Sequence, residues 1–421
     1  MNPQLLILGN GFDLHCGLHS DYNTFFRQTI LDTTVTSFKT FRPQPHINGF
    51  WECLLVVYCR KYGDVNYNWC DIETIIKDTL WRICGIDEQT SIIIWKNALE
   101  SVKLNRDPDE EIKSFKNETT KYLYRYCMLL FYKNLDLIKK HSDDEALNLL
   151  IENLLDELHD FESRFCKYIK DNIVNPQNGT ELNTKYIVNA ANLLAKLTNF
   201  TNENFTDISD IVNPEDEYIT TITSNGVSYK LEKEGLTGKF NNLNRTHILS
   251  FNYTALFDIL KVKSPCLYSN VHGKLCDNIC GDGCPCSSII FGIDDSEIQT
   301  QEETTNLRIF SKTYRKMLDT SSPTSILPPN NGAPLDIIFY GHSLSKADYS
   351  YFQSIFDYYN IYGNNKISLL FYYSKGFEQT DAIYNLFNAY GKTLSNSDQG
   401  KNLIHKLLLE NRLKIIELEE D

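Results

Sequence analysis

The sequence has no long apolar run and no excess of positive charge. No stretch approaches the roughly 20 apolar residues that a membrane-spanning helix needs. Lys and Arg total 41 against 55 acidic residues, for a net charge of −14, so a surface built for nucleic-acid phosphates is not indicated. We therefore expect neither a membrane nor a nucleic acid as a partner.

The start of the sequence also lacks a basic segment followed by an apolar one. Met1 leads within a few residues into an apolar run, so we expect a cytoplasmic protein. In that compartment the 12 cysteines are expected to be reduced thiols or metal ligands, not disulfides. Hydrophobic residues make up 42 % and charged residues 23 % of the 421 residues, which is typical of a globular protein of two or three domains.

Short apolar runs bounded by turn residues predict buried strands, and helical stretches lie between several of them. This alternation indicates an α/β fold with a mostly parallel sheet. The runs are LLIL (5–8), HILSF (247–251), CLYSNV (266–271), SIIFG (288–292), LDIIFYG (335–341), ISLLFYY (367–373) and LKIIEL (413–418).

The middle of the chain has a different pattern. Apolar residues recur at three- and four-residue spacing over 147–168, and 51–62 and 122–140 also have helical patterns. Residues 201–244 are polar and without a clear period, which indicates loops and short elements. We predict a Rossmann-like nucleotide-binding domain of residues 1–26 and 245–421. A mainly helical insertion, 27–244, would form a lid or wall over its crevice.

A glycine turn follows the first predicted strand directly. Gly9, Asn10 and Gly11 precede Phe12 and Asp13. In a nucleotide-binding βα unit such a turn lets the backbone approach a phosphate. The third glycine of the usual GxGxxG pattern is absent, and Asp13 could instead cap the helix or contact a ribose hydroxyl. An ordinary tight turn between strand and helix remains the other interpretation.

Polar residues also follow three of the later strands. Since parallel strands end at one edge, these residues are expected to line one crevice with the glycine turn. Helix capping is the alternative role for several of them, and the sequence identifies no partner for His15, His19 or His342. The residues are Asn252 and Thr254 in SFNYT, His272 in NVHGKL, and His342, Ser343 and Asp348 in YGHSLSKAD.

Taken together, these segments resemble the AbiH family of bacteriophage abortive-infection proteins. The resemblance rests on LGNGFDLHCGLHSDYNTFF, SFNYT, VHG, IIFGID and GHSLSKADYSYF, and more loosely on WCDIE (69–73) and HDFESRF (159–165). AbiH proteins in turn look like distant relatives of the SIR2 fold, which binds NAD. The resemblance thus implies a SIR2-like nucleotide crevice and a role in antiphage defence.

The same resemblance implies roles for single residues. The turn of Gly9, Asn10 and Gly11 would hold the NAD phosphates, and Asn252 would lie near the nicotinamide ribose. Phe12, Asp13 and Thr254 would also belong to the cofactor site. His272 would be the general base. Gly341, Ser343 and Leu344 would close over the adenosine side. Two positions depart from the SIR2 pattern: Thr254 stands where an Asp belongs, and Asp13 replaces a small or hydroxyl residue.

Four cysteines that together span eleven residues follow His272. Cys276, Cys280, Cys284 and Cys286 could hold a structural zinc ion, although the spacing is not the paired C-x2-C of zinc ribbons. SIR2 deacylases carry a zinc ribbon at the same place. A cysteine-rich surface loop with reduced thiols is the alternative.

Three functions can be compared against these patterns. The first is an abortive-infection effector that hydrolyses the N-glycosidic bond of NAD or a related nucleotide. The second is a non-catalytic protein that senses a nucleotide or binds a partner through the same crevice. A nuclease toxin is disfavoured by the acidic charge and by the lack of a run of metal-binding carboxylates. A phage-derived or host trigger and self-association are expected for such an effector.

Overall fold

The computed structural model of the protein describes most of the chain. The described residues are 2–29, 49–62, 69–84, 93–140, 142–174, 186, 189–190, 192–194, 196–198, 218–224, 227–232, 246–256, 267–273, 289–294, 307–318 and 326–418.

Six strands of the described residues form one parallel sheet. In chain order the strands are β1 (Gln4–Leu8), β2 (Tyr218–Ser224), β3 (Val227–Glu232), β4 (Thr246–Ser250), β5 (Leu267–Asn270), β6 (Leu335–Tyr340), β7 (Ile367–Tyr373) and β8 (Leu413–Glu417). The sheet has the order β5-β4-β1-β6-β7-β8, and every neighbouring pair is parallel. β2 and β3 form a separate antiparallel pair within the segment predicted as loops and short elements.

The strand order confirms the predicted Rossmann-like α/β fold. Numbered along the chain, the six parallel strands have the order 3-2-1-4-5-6 of a doubly wound sheet. The order reverses between β1 and β6, which are paired from Gln4 with Asp336 to Leu8 with Tyr340. Ligands of such sheets bind outside the carboxyl ends of the strands at this reversal.

Helices connect and flank the strands. They are α1 (Asn10–His15), α2 (Tyr22–Thr29), α3 (Phe50–Tyr62), α4 (Trp69–Cys84), α5 (Ile94–Lys103), α6 (Pro108–Ser114), α7 (Glu118–Lys133), α8 (Leu135–Lys140), α9 (Asp143–Ile169), α10 (Lys312–Met317), α11 (Tyr349–Tyr359), α12 (Thr380–Thr393) and α13 (Ser397–Leu409). The helices predicted over 51–62, 122–140 and 147–168 are confirmed by α3, by α7 with α8, and by α9.

One face of the parallel sheet carries the core that positions the site. Alternate residues of β1, β6 and β7 pack on it with α11 and α12, and Phe339 stacks on Phe371 with ring centroids 4.3 Å apart. The same core continues through Phe251 to Phe352 of α11. The segment that follows β4 is therefore held by the same core as the helix that follows β6.

Local signals set the ends of the helices around this core. The side chain of Asn396 accepts hydrogen bonds from the N–H groups of Asp398 and Gln399, which satisfies the first turn of α13. α11 ends at Asn360, which has φ 47° and so adopts the left-handed conformation that asparagine tolerates.

The chain divides into two compact units. One consists of Met1–Ser20, Ile169–Ile289 and Ser321–Asp421 and contains the parallel sheet; the other consists of Asp21–Tyr168 and Ile290–Thr320. The two units are defined by the packing within each of them. The domains predicted from the sequence, 1–26 with 245–421 and 27–244, stay a prediction.

The run SIIFG (288–292) was predicted as a strand, and that prediction is wrong. Its described residues lie outside the sheet, and Ile293 forms only an isolated bridge with Ser311. The run is apolar because Phe291 packs in an aromatic cluster, with ring centroids 5.4 Å from Phe161 and 5.5 Å from Phe165. Burial inside a cluster of helices and burial inside a sheet leave the same apolar pattern.

Buried ion pairs hold α10 within the second unit. Lys312 pairs with Glu73, and Arg315 forms a two-pronged pair with Glu162 at 2.6 and 2.7 Å. Glu73 and Glu162 belong to the segments WCDIE and HDFESRF. Burial raises the pKa of Glu162, and the guanidinium of Arg315 opposes that rise. Glu73 and Glu162 thus have a packing role within this unit.

Across the described ranges, no helix is both long and apolar enough to cross a membrane.

Candidate functional site

The glycine turn after β1 packs directly against the turn after β6. Gly9 N–H donates to Tyr340 O at 3.0 Å, and Gly11 N–H donates to Gly341 O at 2.8 Å. A Cβ atom on Gly9 would lie 2.4 Å from His342 Cα, and one on Gly11 would lie 2.7 Å from Gly341 Cα. Glycine is therefore required for the two turns to meet at the reversal of strand order.

Close packing uses part of the hydrogen-bonding capacity of this turn. Phe12 N–H donates to Gly9 O at 2.9 Å, and the N–H groups of Gly9 and Gly11 also have protein acceptors. The Oδ1 of Asn10 lies 2.7 Å from Ser20 Oγ, whose one hydrogen is shared between Asn10 and Asp13, and the buried Phe12 ring meets Tyr340 edge to face. Binding of a phosphate at this turn stays a prediction.

Asp13 points into the protein. Its side chain is 1 % exposed and accepts hydrogen bonds from the hydroxyls of Thr254, Ser20 and Tyr186. Burial raises the pKa of Asp13 to about 6, and the three hydroxyl donors oppose that rise. The two departures from the SIR2 pattern, Asp13 and Thr254, are therefore partners in one hydrogen bond. Their predicted contact with a cofactor stays a prediction.

The turn after β4 is held by hydrogen bonds at several points. Asn270 Nδ2 donates to Asn252 O at 2.7 Å and to Thr254 O at 2.9 Å, and Asn252 N–H donates to Ser250 Oγ at 3.2 Å. Tyr268 OH also donates to Thr254 O. The side-chain Oδ1 of Asn252 is buried and has no hydrogen-bond partner among the described residues. A buried acceptor in this condition is suited to a ligand hydroxyl or water.

His272 follows β5 and pairs with a carboxylate from the segment after β6. Its Nε2 lies 2.8 Å from Asp348 Oδ1, and both side chains are largely buried. The ring also lies edge-on to Phe251 and to Tyr351, at 5.4 and 5.8 Å between centroids. A carboxylate on one ring nitrogen fixes the tautomer and leaves Nδ1 as the basic nitrogen of the neutral ring.

Asp348 also faces a second histidine. Its Oδ2 lies 3.5 Å from His342 Nε2, and His342 Nδ1 accepts the N–H of Leu344 at 2.9 Å. The backbone of this segment is unusual, because Leu344 has φ 55° and Gly341 has φ 68°. The side chain of Leu344 is buried and that of Ser343 is exposed.

A separate pocket opens between α1 and the ends of β6 and β7. Its volume is about 300 Å³, and its lining includes Gly11, Gly341 and Phe377. Inside it Tyr340 OH lies 2.9 Å from His15 Nδ1 and 2.7 Å from Ser374 Oγ. The volume is at the lower end of the range of ligand pockets, and its apolar walls with a few polar groups are typical of them.

The sequence matches the family model described as bacteriophage abortive infection AbiH over residues 5–373. The chain belongs to the AbiH family. The match extends from β1 to the end of β7 and so includes the glycine turn, the turn after β4, His272 and Asp348. No curated protein and no solved structure gives a significant match. Membership places this AbiH protein among those of phage abortive infection.

The structure brings together some of the predicted site residues of this AbiH protein. Asn252 lies between Phe251 and Tyr253, whose rings both contact His272. The pairing of His272 with Asp348 was missed, and so was the group formed by His15 and Ser374. Ser374 directly follows the run ISLLFYY, so the rule of polar residues after strands could have identified it.

The predicted zinc site lies outside the described residues. Cys276, Cys280, Cys284 and Cys286 all fall within the range 274–288, and the zinc site stays a prediction. The residues that the structure does describe contain no group of three or more His, Cys, Asp or Glu suited to a metal ion. Cys16, Cys53, Cys127 and Cys166 are buried cysteines outside disulfides, and burial raises the pKa of Cys16 and of Cys127.

Proposed function

We propose that this AbiH protein acts in abortive infection by hydrolysing the N-glycosidic bond of NAD or a related nucleotide. The reaction would take place at the carboxyl ends of β4, β5 and β6. The observation that supports it best is the buried pair of His272 and Asp348, 2.8 Å apart, beside the turn that carries Asn252. A histidine oriented by a carboxylate is a recurrent general base.

In this proposal His272 takes a proton from the attacking water. Asp348 accepts the Nε2 hydrogen of the neutral ring, so Nδ1 is the atom that accepts the proton. The negative charge of the carboxylate stabilises the imidazolium that forms, and the nearby Phe251 and Tyr351 rings limit the water around it. A general base of this kind contributes on the order of 10²- to 10⁴-fold to a rate.

The bond changes balance without a further reactant. Water adds to C1′ of the nicotinamide ribose, and the carbon–nitrogen bond breaks through an oxocarbenium-like state. The electron pair of that bond goes to the nicotinamide, which is cationic in NAD and leaves neutral, so no strong acid is needed. The water proton goes to His272 and then to solvent. The products are ADP-ribose and nicotinamide.

Asn252 would orient the water or a ribose hydroxyl. Its backbone is fixed at both ends of the residue by Ser250 and Asn270, while its Oδ1 is buried without a partner in the described part of the chain. An amide oxygen accepts hydrogen bonds only, so it suits a hydroxyl that must be held with its hydrogen toward the protein.

The pocket beside α1 would receive the rest of the nucleotide. It adjoins Gly11 and Gly341, next to the predicted phosphate turn, and it offers the hydroxyls of Tyr340 and Ser374 and the exposed Phe377 ring. Such groups suit a base and a ribose. Depletion of NAD would stop the growth of an infected cell, which is consistent with the abortive infection of the family name.

A nucleotide sensor is the second candidate. It is favoured by the burial of His272 and Asn252, each 4 % exposed, which fits ligand binding without turnover. In this case the crevice binds the nucleotide and a partner responds. A phage-derived or host trigger, self-association and a cytoplasmic location remain predictions for both candidates.

The deciding experiment follows cellular NAD over time, with and without phage, in cells that express the protein. We expect NAD to fall in infected cells with wild type and to stay level with His272→Ala. His405→Ala, at an exposed histidine of α13, is the matched control and should behave as wild type. Level NAD during effective defence would contradict the hydrolase and favour the sensor.

A further inference from the structure

Asp13 joins three separate parts of the first unit. The Thr254 hydroxyl comes from the turn after β4, the Ser20 hydroxyl lies 3.0 Å away after α1, and the Tyr186 hydroxyl lies 3.1 Å away on a helical residue. Asp13 itself belongs to α1, which begins directly after Gly9. One buried carboxylate therefore ties the glycine turn to the turn that carries Asn252.

The turn after β4 is anchored from two sides. From β5, Asn270 and Tyr268 bind the backbone carbonyl of Thr254. From α1, Asp13 binds its side-chain hydroxyl. The two anchors act on the same residue but from different elements, so losing the hydroxyl removes the link to α1 and keeps the links to β5.

Asn252 lies two residues before this doubly anchored position. Its carbonyl is held by Asn270, and its buried Oδ1 has no hydrogen-bond partner among residues that the structure describes. Since no hydrogen bond within the described residues holds Oδ1, its position depends on the backbone of its turn. Because Asn252 and Thr254 belong to one short turn and Asn270 binds the carbonyls of both, movement of Thr254 relative to α1 would shift Oδ1 as well.

We infer that Asp13 is a positioning residue that acts through Thr254 to hold Asn252 in register with the nucleotide. This inference rests on the proposed function. Asp13 does not touch the nucleotide in this scheme, because its side chain is enclosed and its oxygens are used by hydroxyls. It sets the geometry of the group that does.

The test measures NAD hydrolysis by the purified full-length protein carrying Thr254→Val, Asp13→Asn or both. We expect each single variant to lower kcat on the order of 10- to 100-fold with little change in KM, since displacement of a positioned group has costs of this size. The double variant should be no slower than the slower single variant, because Asp13→Asn weakens and Thr254→Val removes the same hydrogen bond. Thr254→Ser keeps the hydroxyl and should recover most of the kcat lost in Thr254→Val.

Thr198→Val is the matched control. Thr198 is as buried as Thr254, and its hydroxyl donates to Leu194 O away from the turn after β4. We expect this variant to lower the melting temperature and to keep the wild-type kcat. If Asp13→Asn does not fold, the comparison of Thr254→Val with Thr254→Ser decides the question.

The outcomes separate this inference from the proposed function. An active wild type whose Thr254→Val and Asp13→Asn variants lose melting temperature but keep kcat would overturn the positioning role alone. Multiplying losses in the double variant would also overturn it. Wild type that leaves NAD level in infected cells during effective defence would overturn the proposed function, and the positioning role with it.

Discussion

Replacing Asp13 with asparagine should change how the stability of the protein depends on pH. Asp13 is buried, and its hydrogen-bond partners in the described part of the chain are three uncharged hydroxyls. The titratable groups that face it are the Cys16 thiol and the Tyr186 and Tyr268 hydroxyls. Burial raises the pKa of each of these three groups, so they stay uncharged between pH 4 and 8. The pH response of this cluster in that range therefore belongs to Asp13.

The size of the effect follows from the pKa of Asp13. That pKa is about 6 in the folded protein and 3.8 for an ordinary aspartate. A difference of about two units corresponds to roughly 3 kcal/mol in the free energy of unfolding. Because the folded protein binds the Asp13 proton more tightly than the unfolded chain does, this proton stabilises the folded protein. Its contribution to the free energy of unfolding is complete below about pH 4. It is lost as the pH rises to 6 and is constant above that.

The assay is urea denaturation of wild type and Asp13→Asn at several pH values from 4 to 8. We expect the unfolding free energy of wild type to fall by roughly 3 kcal/mol relative to that of Asp13→Asn as the pH rises across this range. Asp357→Asn, at an exposed carboxylate that accepts the Tyr390 hydroxyl, is the matched control. Parallel curves for wild type and Asp13→Asn would refute the reasoning.

Two further substitutions test the glycine turns and the pocket. Gly341→Ala should lower the free energy of unfolding by at least about 2 kcal/mol, because φ is 68° and the new Cβ would lie 2.5 Å from Phe12 N. Gly332→Ala shares the positive φ without a neighbour within 4 Å, so a smaller loss there isolates the clash, and equal losses in denaturation would count against it. Phe377→Ala should raise KM for NAD and leave kcat and melting temperature unchanged, since the ring is 72 % exposed at the pocket. Leu409→Ala, at an 88 % exposed residue outside the pocket lining, is its control, and an unchanged KM in Phe377→Ala would remove the pocket from nucleotide binding.

The strands of the parallel sheet could be predicted because each is a short apolar run between turn residues. β7 agrees with its predicted run from residue 367 to 373, and the polar residues after β4 and β5 follow their strands as expected. SIIFG failed because apolarity reports burial and not the kind of element that is buried. The antiparallel pair β2 and β3 lies in a polar segment that gave no such signal.

The contacts that build the site could not be predicted. Thr254 and Asp13 are 241 residues apart, and the pairing of His272 with Asp348 depends on which strands are neighbours in the sheet. A list of polar residues after strands identifies the edge of the sheet on which they lie. It does not say which of them form hydrogen bonds with each other, because those pairs are set by packing between elements distant in sequence.

The position of β1 has a consequence for synthesis of the protein on the ribosome. β1 is the first strand made, yet it lies in the middle of the sheet, between β4 and β6. At about 5–20 residues per second, translation takes on the order of tens of seconds to reach β6. The edge of the apolar segment QLLIL that pairs with β6 has no partner for that time, and the edge that pairs with β4 has none until residues 246–250 are made. The edge of the sheet that carries the candidate site is therefore completed only late in translation, so an incomplete chain of this abortive-infection protein lacks it.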